Sequence, residues 1–265
     1  MDFLGVFLQG FSVFGYRILY LDYRKSGILS PVRDQNETGT CWAMAVTSCI
    51  ESVMRQHHNV DVRLSVQDLV DSCTYDSTKL RNICSSSSDD DDDDEDEDDD
   101  DDNDNSGGLP DHCFLFISRH GVCLDEDCPF TGRPPTICAA PRFPEHRRFF
   151  PLKHIPPPAP TNVRLENGYR EVEGKENIMK ALLKSTLVDI LFCVGEKTDH
   201  LVLLVGYGED ILTNIPFWII QNSWGVEWGK EGFGRILCDD EYNNITAYVP
   251  SFVQNLPTGP SRPSP

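Results

Sequence analysis

Gln35-Asn-Glu-Thr-Gly-Thr-Cys-Trp-Ala-Met-Ala45 is the stretch from which the rest of this chain can be interpreted. Apolar residues follow Cys41 at the three- and four-residue spacing of a helix with one buried face. They are Ala45, Val46, Cys49, Ile50, Val53 and Met54. Because Gly39 permits a sharp turn and Thr40 is a permitted N-cap, we expect the helix to begin at Cys41. The helix dipole there favours a thiolate, which predicts a nucleophile; the alternative is a buried structural cysteine.

A nucleophilic cysteine needs a base, a group that orients the base, and donors for the developing oxyanion. Asp199-His200 precedes an apolar run, and Gln-Asn-Ser-Trp-Gly at 221–225 closes another. Taken singly, a histidine before a strand is usually a satisfied edge residue, and an Asn-Ser pair is usually turn chemistry. Their joint occurrence with the Cys41 stretch favours a catalytic interpretation.

These motifs resemble those of the papain-like cysteine proteases. Gln precedes Cys-Trp-Ala by six residues, Asp-His leads a strand that ends in Gly-Tyr-Gly, and Asn-Ser-Trp-Gly follows. The order Cys, His, Asn agrees with that family, and the resemblance extends to Leu21–Arg24, Pro31–Asp34 and Ser106-Gly107-Gly108. It implies an α+β, two-lobe fold with a helical N-terminal lobe, an antiparallel β-sheet or barrel C-terminal lobe, and a cleft between them.

The resemblance also implies a cysteine-type peptidase that acts on peptide or protein substrates without a metal or cofactor. Cys41 would attack the carbonyl, His200 would hold the proton, and Asn222 would orient the imidazole. Gln35 would join the Cys41 backbone N–H in the oxyanion hole. The residues expected at the substrate cleft are Gly107, Gly108, Asp199 and Trp224. Trp224 would also shield the hydrogen bond between Asn222 and His200 from water.

Three departures from the family pattern leave open a catalytically weak or inactive binding or regulatory protein. The segment from Leu191 to His200 is short, which removes cleft wall; we expect a tight hairpin whose second strand begins at His200 after a turn at 195–198. Val66 replaces the family's buried glutamate, so we expect Glu51 to lack its usual partner. Asn36-Glu37-Thr38 is a glycosylation pattern beside Gln35, and Asn244-Ile245-Thr246 is a second one.

Composition is consistent with a folded domain. The 265 residues, 39% of them hydrophobic, are enough for one domain or two small lobes. Most of the net charge of −20 lies in an acidic run at 89–104, so no basic surface suggests nucleic-acid binding. The predicted units are an apolar segment at 1–17, a papain-like domain at 18–252 with lobes at about 18–128 and 160–252, a disordered acidic insert at 85–105, and a tail at 253–265.

Hydrophobic spacing and turn residues also predict individual elements. Further helices are expected at Leu64–Val70 with Ser65 as N-cap, from Pro110 to a stop at Gly121, and at Lys175–Lys184. Strands are expected at Val188–Val194, Leu201–Val205, Phe217–Ile220 and Phe233–Leu237. A proline-rich stretch at 129–160 is expected to form an extended connection between the lobes.

Ten cysteines favour an oxidising compartment. The resemblance places Cys73 and Cys138 near one family disulfide, while Thr38 and Asn105 occupy both positions of another. Cys49 fits the helix core. The pairing of the others stays open, and so does a zinc site built from His120, Cys123 and Cys128. The cysteines without an assignment are Cys84, Cys113, Cys123, Cys128, Cys193 and Cys238.

Location and partners are expectations from the resemblance. It implies a lysosomal, vacuolar or extracellular monomer that cystatin-type inhibitors bind. Met1–Tyr20 lacks the basic start and small-residue cleavage site of a signal peptide. A papain-like precursor carries a long propeptide, and no segment of that length precedes Leu21. We therefore expect either a mature-like domain or a truncated gene product.

Overall fold

The computed structural model describes residues 20–73, 108–132, 168–185, 188–194, 197–238 and 245–250. Helices in these ranges are α1 (Cys41–His58), α2 (Val66–Cys73), α3 (Pro110–His120) and α4 (Lys175–Ser185). Strands are β1 (Leu21–Asp22), β2 (Tyr169–Glu173), β3 (Val188–Val194), β4 (Lys197–Glu209), β5 (Pro216–Gln221), β6 (Phe233–Leu237) and β7 (Thr246–Pro250). The helical elements come mainly first and the sheet mainly second, as predicted.

Helix α1 begins at Cys41, as the glycine turn and the apolar spacing predicted. Thr40 occupies the N-cap position, and its carbonyl accepts a hydrogen bond from the Met44 N–H at 3.1 Å. Thr40 is therefore the N-cap residue, as predicted, but its side chain makes no capping hydrogen bond, and its hydroxyl lies 2.7 Å from that of Thr38. Asn59, in the left-handed region with φ of 53°, ends the helix.

The capping signals of the next two helices are confirmed. Ser65 Oγ accepts a hydrogen bond from the Asp68 N–H at 2.9 Å and so caps α2. Pro110 lies in the first turn of α3, and Gly121 with φ of 68° follows its last residue. Both helices pack against α1, and their apolar faces meet it in the cluster that includes Trp42 and Phe114.

The strands form one antiparallel sheet in the order β2-β7-β3-β4-β5-β6, with β1 paired to β4. Strands β3 and β6 have the predicted bounds. The predicted hairpin of β3 and β4 is present, and it pairs Phe192 with His200. Its predicted bounds are wrong, because β4 begins at Lys197 and the Val194–Lys197 pair extends the ladder beyond His200.

Two clusters of buried apolar side chains make the core, and α1 contributes to both. One cluster lies among α1, α2 and α3 and includes Ile50 and Leu69. The other lies on the sheet and includes Leu203 and Trp218, with Cys49 on the opposite face of α1. Helix α1 therefore lies between the helical part and the sheet.

Several predictions concern residues outside the described ranges. They include the acidic insert, most of the proline-rich connection, Gly107, Cys138 and both chain ends. Among the described residues, no helix is long and apolar enough to cross a membrane. Within the same ranges, no group of three or more histidine, cysteine or carboxylate side chains could hold a metal ion, so the zinc alternative gains no support.

Candidate active site

Cys41 lies at the start of α1, where the helix dipole is positive and the first turn contains no acidic residue. The residue is buried. The ring of Trp42 packs against the backbone of Gly108, where an added Cβ would lie 2.6 Å from ring atoms. Only glycine allows this approach, which places Gly108 beside the Cys41 turn.

His200 and Asn222 form a hydrogen-bonded pair between β4 and the end of β5. Asn222 Oδ1 lies 2.7 Å from His200 Nε2 and also accepts a hydrogen bond from the Ser223 N–H at 2.8 Å. A backbone N–H can only donate, so Oδ1 is the acceptor in both contacts. His200 Nε2 therefore carries the hydrogen, and its Nδ1 is the nitrogen left for proton exchange.

Trp224 covers this pair. Its ring stacks on the His200 imidazole with centroids 4.6 Å apart and planes inclined by 30°, and Trp228 meets Trp224 edge-on at 5.6 Å. Trp224 is itself 43% exposed, while Asn222 is buried. The indole therefore stands between solvent and the imidazole, and a hydrogen bond shielded from water is electrostatically stronger than an exposed one.

Hydrogen bonds to Ser223 hold Gln35 beside the His200–Asn222 pair. The Gln35 N–H donates to the Ser223 carbonyl at 2.9 Å, and Ser223 Oγ donates to Gln35 Oε1 at 2.7 Å. Gln35 Nε2 donates to the Thr38 carbonyl at 2.6 Å. The role of Ser223 was missed from sequence, because a serine after asparagine was interpreted as turn chemistry; a hydroxyl between two candidate site residues was the available signal.

Backbone pairing supports this arrangement. Asp34 bridges Trp224 in antiparallel fashion, and the Gly225 N–H donates to the Arg33 carbonyl at 3.0 Å. Gly225 has φ of 77°, and a Cβ there would lie 2.9 Å from an Asp34 carboxylate oxygen. Residues 33–35 thus run beside 223–225, which brings the segment before Cys41 to the segment after β5.

Helix α1 packs on β4, the strand that carries His200. Leu201 follows His200 directly and belongs to the same apolar cluster as Cys41 and Trp42. Asp199 lies in β4 next to His200. Asn36 is exposed beside Gln35, and glycosylation there stays a prediction.

The sequence profile of the papain family cysteine proteases matches residues 19–251. The chain belongs to this family. The order of the site residues and the α+β arrangement agree with the match, and the predicted family and fold are confirmed.

Individual proteases with similar sequences agree with this family assignment. The chain is 26% identical over 232 residues to a cysteine proteinase of Theileria parva, covering 82% of this chain and 42% of that one. It is 27% identical over 254 residues to procathepsin L of Felis catus (88% and 64%) and 30% identical over 230 residues to the oryzain gamma chain of Oryza sativa subsp. japonica (82% and 56%). It spans about half the length of such relatives.

The structure of a digestive procathepsin L 3 from Tenebrio molitor superposes with a TM-score of 0.65 at 21% identity, covering 91% of this chain and 72% of that one. A second digestive procathepsin from the same organism gives the same TM-score of 0.65 at 20% identity, covering 91% and 70%. At these identities the likeness shows a shared fold. It confirms the predicted papain-like architecture.

The usual family partner of Glu51 is absent, since Val66 stands in its place, but other groups bind the carboxylate. Glu51 is fully buried, and its carboxylate accepts from Arg33 Nη2 and from the Leu64 N–H at 2.6 Å each. Arg63 Nη1 lies 3.3 Å away, and the Ser30 hydroxyl donates to the same carboxylate. Arginines from two other segments replace the missing glutamate partner. We call Ser30, Arg33, Glu51 and Arg63 the Glu51 cluster.

Proposed function

We propose that this papain-family chain is a cysteine peptidase that hydrolyses peptide bonds through Cys41, His200 and Asn222. The observation that supports this most is the hydrogen-bonded series from Gln35 through Ser223 and Asn222 to His200. It fixes the imidazole with Nε2 directed at Asn222, so that Nδ1 is the nitrogen available to the thiol. Such an arrangement is what a thiol nucleophile needs from its base.

In the proposed mechanism, Cys41 attacks the peptide carbonyl as a thiolate, and the electron pair of the carbonyl moves to its oxygen. His200 Nδ1 holds the compensating proton and delivers it to the leaving amine as the tetrahedral intermediate collapses to an acyl-enzyme. Water then attacks the thioester, with the same imidazole as base, and releases the acid. These steps require no metal or cofactor.

We assign the oxyanion hole to Gln35 and the backbone N–H of Cys41. The Gln35 amide nitrogen has two hydrogens, of which one is donated to the Thr38 carbonyl, so the second can be donated to the oxyanion. Ser223 fixes the other end of that amide. An oxyanion donor held in place before the reaction lowers the barrier without reorganisation, which is why its fixation matters.

We propose that the substrate cleft is shallow on the side of β3 and β4. The hairpin keeps its ladder to the Val194–Lys197 pair, so the connection is too short to build a wall. Gly107 and Gly108 are proposed to form the opposite edge, with Asp199 and Trp224 near the base. Substrate side chains would bury less apolar area, worth about 25 cal/mol per Å². Small electrophiles should therefore alkylate Cys41 readily, while peptides show high KM and weak discrimination.

The remaining expectations follow from this role. We propose peptides or proteins as substrates and cystatin-type proteins as inhibitors, because these bind papain-like clefts. We also propose a monomer that acts in a lysosome, in a vacuole or outside the cell, where ten cysteines suit an oxidising environment. The lobe bounds of about 18–128 and 160–252 are part of the same proposal.

Hydrolysis of a fluorogenic peptide by Cys41→Ser tests the proposal. A hydroxyl is far less readily ionised than a thiol, so turnover should fall by about 10³-fold or more with thermal stability unchanged. Cys49→Ala is the matched control, since Cys49 lies on the same helix within the sheet-side core. Turnover by Cys41→Ser at the rate of the wild type would refute the assignment.

A further inference from the structure

A small cavity lies behind the candidate active site, between α1 and strands β4 and β5. It has a volume of about 10 Å³, and Met44, Ala45, Leu201 and Leu203 are among the apolar residues that line it. Asn222 and Ser223 line one side, and the cavity therefore touches the backbone that carries the orienting asparagine.

Two polar side chains line this cavity with unsatisfied groups. Within the described part of the chain, neither Arg33 Nε nor Gln221 Oε1 has a hydrogen-bond partner. Both residues are deeply buried: the side chain of Arg33 is 8% exposed, and Gln221 is 4% exposed. Nε–H is a donor and Oε1 is an acceptor, and a buried polar atom left unpaired is costly, so a mediator between them would stabilise the fold.

We propose that Arg33 and Gln221 bind one water molecule here, and that this water site makes Gln221 a positioning residue for Asn222. The water would accept from Arg33 Nε–H and donate to Gln221 Oε1. The cavity volume is about the smallest that holds one water, and the walls offer the two or more polar partners that a buried water requires. Ser48, which also lines the cavity, adds a third polar residue.

The hydrogen bond made by the amide nitrogen of Gln221 shows how the water site could fix the position of Asn222. Gln221 Nε2 donates to the Ser30 carbonyl at 2.8 Å, and the Ser30 hydroxyl donates to Glu51 on α1. Gln221, the last residue of β5, is thus connected through Ser30 to the helix that begins with Cys41. Asn222 is the next residue, and its N–H donates to the Gly232 carbonyl at 2.9 Å. Loss of the water or of the Ser30 bond would let β5 shift relative to α1.

The first test is a high-resolution crystal structure of the whole chain. We expect ordered density for one water within about 3 Å of both Arg33 Nε and Gln221 Oε1. The absence of density there, or a direct bond between the two side chains, would overturn the water site. This test does not depend on the proposed peptidase activity.

The second test compares Gln221→Met with Gln67→Met. Gln67 is also buried, but it bonds Asp71 and Thr131 in the helical part. This expectation rests on the proposed function: Gln221→Met should lower kcat about tenfold and change KM by no more than about twofold relative to the wild type. A small misplacement of the catalytic groups raises the energy of the transition state more than it weakens substrate binding. Alkylation of Cys41 by iodoacetamide should slow by a similar factor. Gln67→Met should change neither.

Gln221→Glu is the second variant, because its carboxylate preserves the buried shape and the acceptor for the water while losing the donor to Ser30. It should fold, retain the water and still lower kcat. Alkylation rates of both Gln221 variants equal to those of the wild type would overturn the positioning role. If the wild type itself cleaves no peptide, the peptidase proposal fails. The alkylation rates and the electron density still decide whether the water site exists and whether Gln221 is a positioning residue.

Discussion

Two polar clusters lie around α1 and the segment that precedes it, and they are built differently. The catalytic cluster (Gln35, His200, Asn222, Ser223) is held by hydrogen bonds between neutral groups and an imidazole, under a half-exposed indole. The Glu51 cluster is charged, and its central carboxylate is fully buried. The contrast teaches that ionic contacts fix α1 to the segments around it, whereas neutral hydrogen bonds hold the groups that exchange a proton in the proposed mechanism.

The charges of the Glu51 cluster depend on one another. Burial lowers the pKa of the Arg33 guanidinium below its usual value, and the Glu51 carboxylate opposes that shift. A buried charge that loses its partner is costly, whereas one that keeps its partner is tolerated. Mutations in this cluster should therefore change stability, and mutations in the catalytic cluster should change turnover.

Among variants of the two clusters, the largest effect on turnover is expected for His200→Ala. Removal of the proposed base and acid should lower kcat by about 10³-fold, within the range of general acid–base catalysis. The melting temperature should change little, because the imidazole is only partly buried. Peptide hydrolysis and calorimetry measure the two effects, with His57→Ala at the exposed end of α1 as control. Full activity of His200→Ala would remove the histidine from the mechanism.

Glu51→Gln should give the largest loss of stability. It leaves Arg33 charged and buried without a carboxylate, and breaking a buried pair costs about 3–5 kcal/mol. Glu176→Gln is the control, because Glu176 is 86% exposed and its contact with Lys180 is 3.9 Å long, which predicts a change below about 1 kcal/mol. Urea unfolding compares the two. Equal stability of both variants would contradict the view that the cluster carries buried charge.

Asn222→Ala should have a smaller effect on catalysis than His200→Ala. The base stays present, but its orientation is lost, so kcat should fall about 10- to 100-fold while KM changes little. Asn177→Ala, which alters an exposed asparagine after β2, should leave kcat unchanged. A rate for Asn222→Ala within twofold of the wild type would show that Trp224 alone holds the imidazole.

The smallest effect is expected at Tyr207, outside both clusters. Within the described residues its buried hydroxyl has no hydrogen-bond partner, so Tyr207→Phe should be neutral or stabilise by about 1 kcal/mol. Burial raises the pKa of Tyr207 from 10.0 to about 12, so the folded state binds this proton more tightly. The stability that depends on this proton is therefore fully present below pH 10, and it is lost as the pH rises through 12 and the buried hydroxyl ionises.

Urea unfolding of Tyr207→Phe across that alkaline window isolates this contribution, since the variant should lose less stability than the wild type above pH 10. A variant that is clearly less stable at neutral pH would mean that the hydroxyl is bonded to something else.

Local signals predicted much of the fold. The start of α1 followed from Gly39 and the apolar spacing after Cys41, and the bounds of β6 followed from a short apolar run. Strands β2 and β7 were missed because β2 buries only one residue and β7 has only five residues, the last a proline, so each apolar pattern is too short to be recognised. The start of β4 was placed three residues late because polar residues extend the ladder beyond the apolar run.

The candidate site residues could be named from sequence because their motifs recur in order. Their connections could not be predicted. Ser223 bonds Gln35 across 188 positions, and Arg33 meets Glu51 across 18. Such pairs depend on how segments pack, and the sequence offers no local periodicity for them. For the same reason the sequence predicted that Glu51 lacks its usual partner but not that Arg33 and Arg63 would take that place.

The most direct test of the central claim is labelling of the native chain with an epoxide inhibitor of thiol proteases, followed by mass spectrometry. The account predicts that Cys41 is modified at one equivalent, that the buried core cysteines such as Cys49 are spared, and that peptide hydrolysis is lost in proportion. Prior denaturation should abolish this selectivity, because it removes the helix start and the imidazole. Native protein that leaves Cys41 unmodified while it still cleaves peptides would contradict the account.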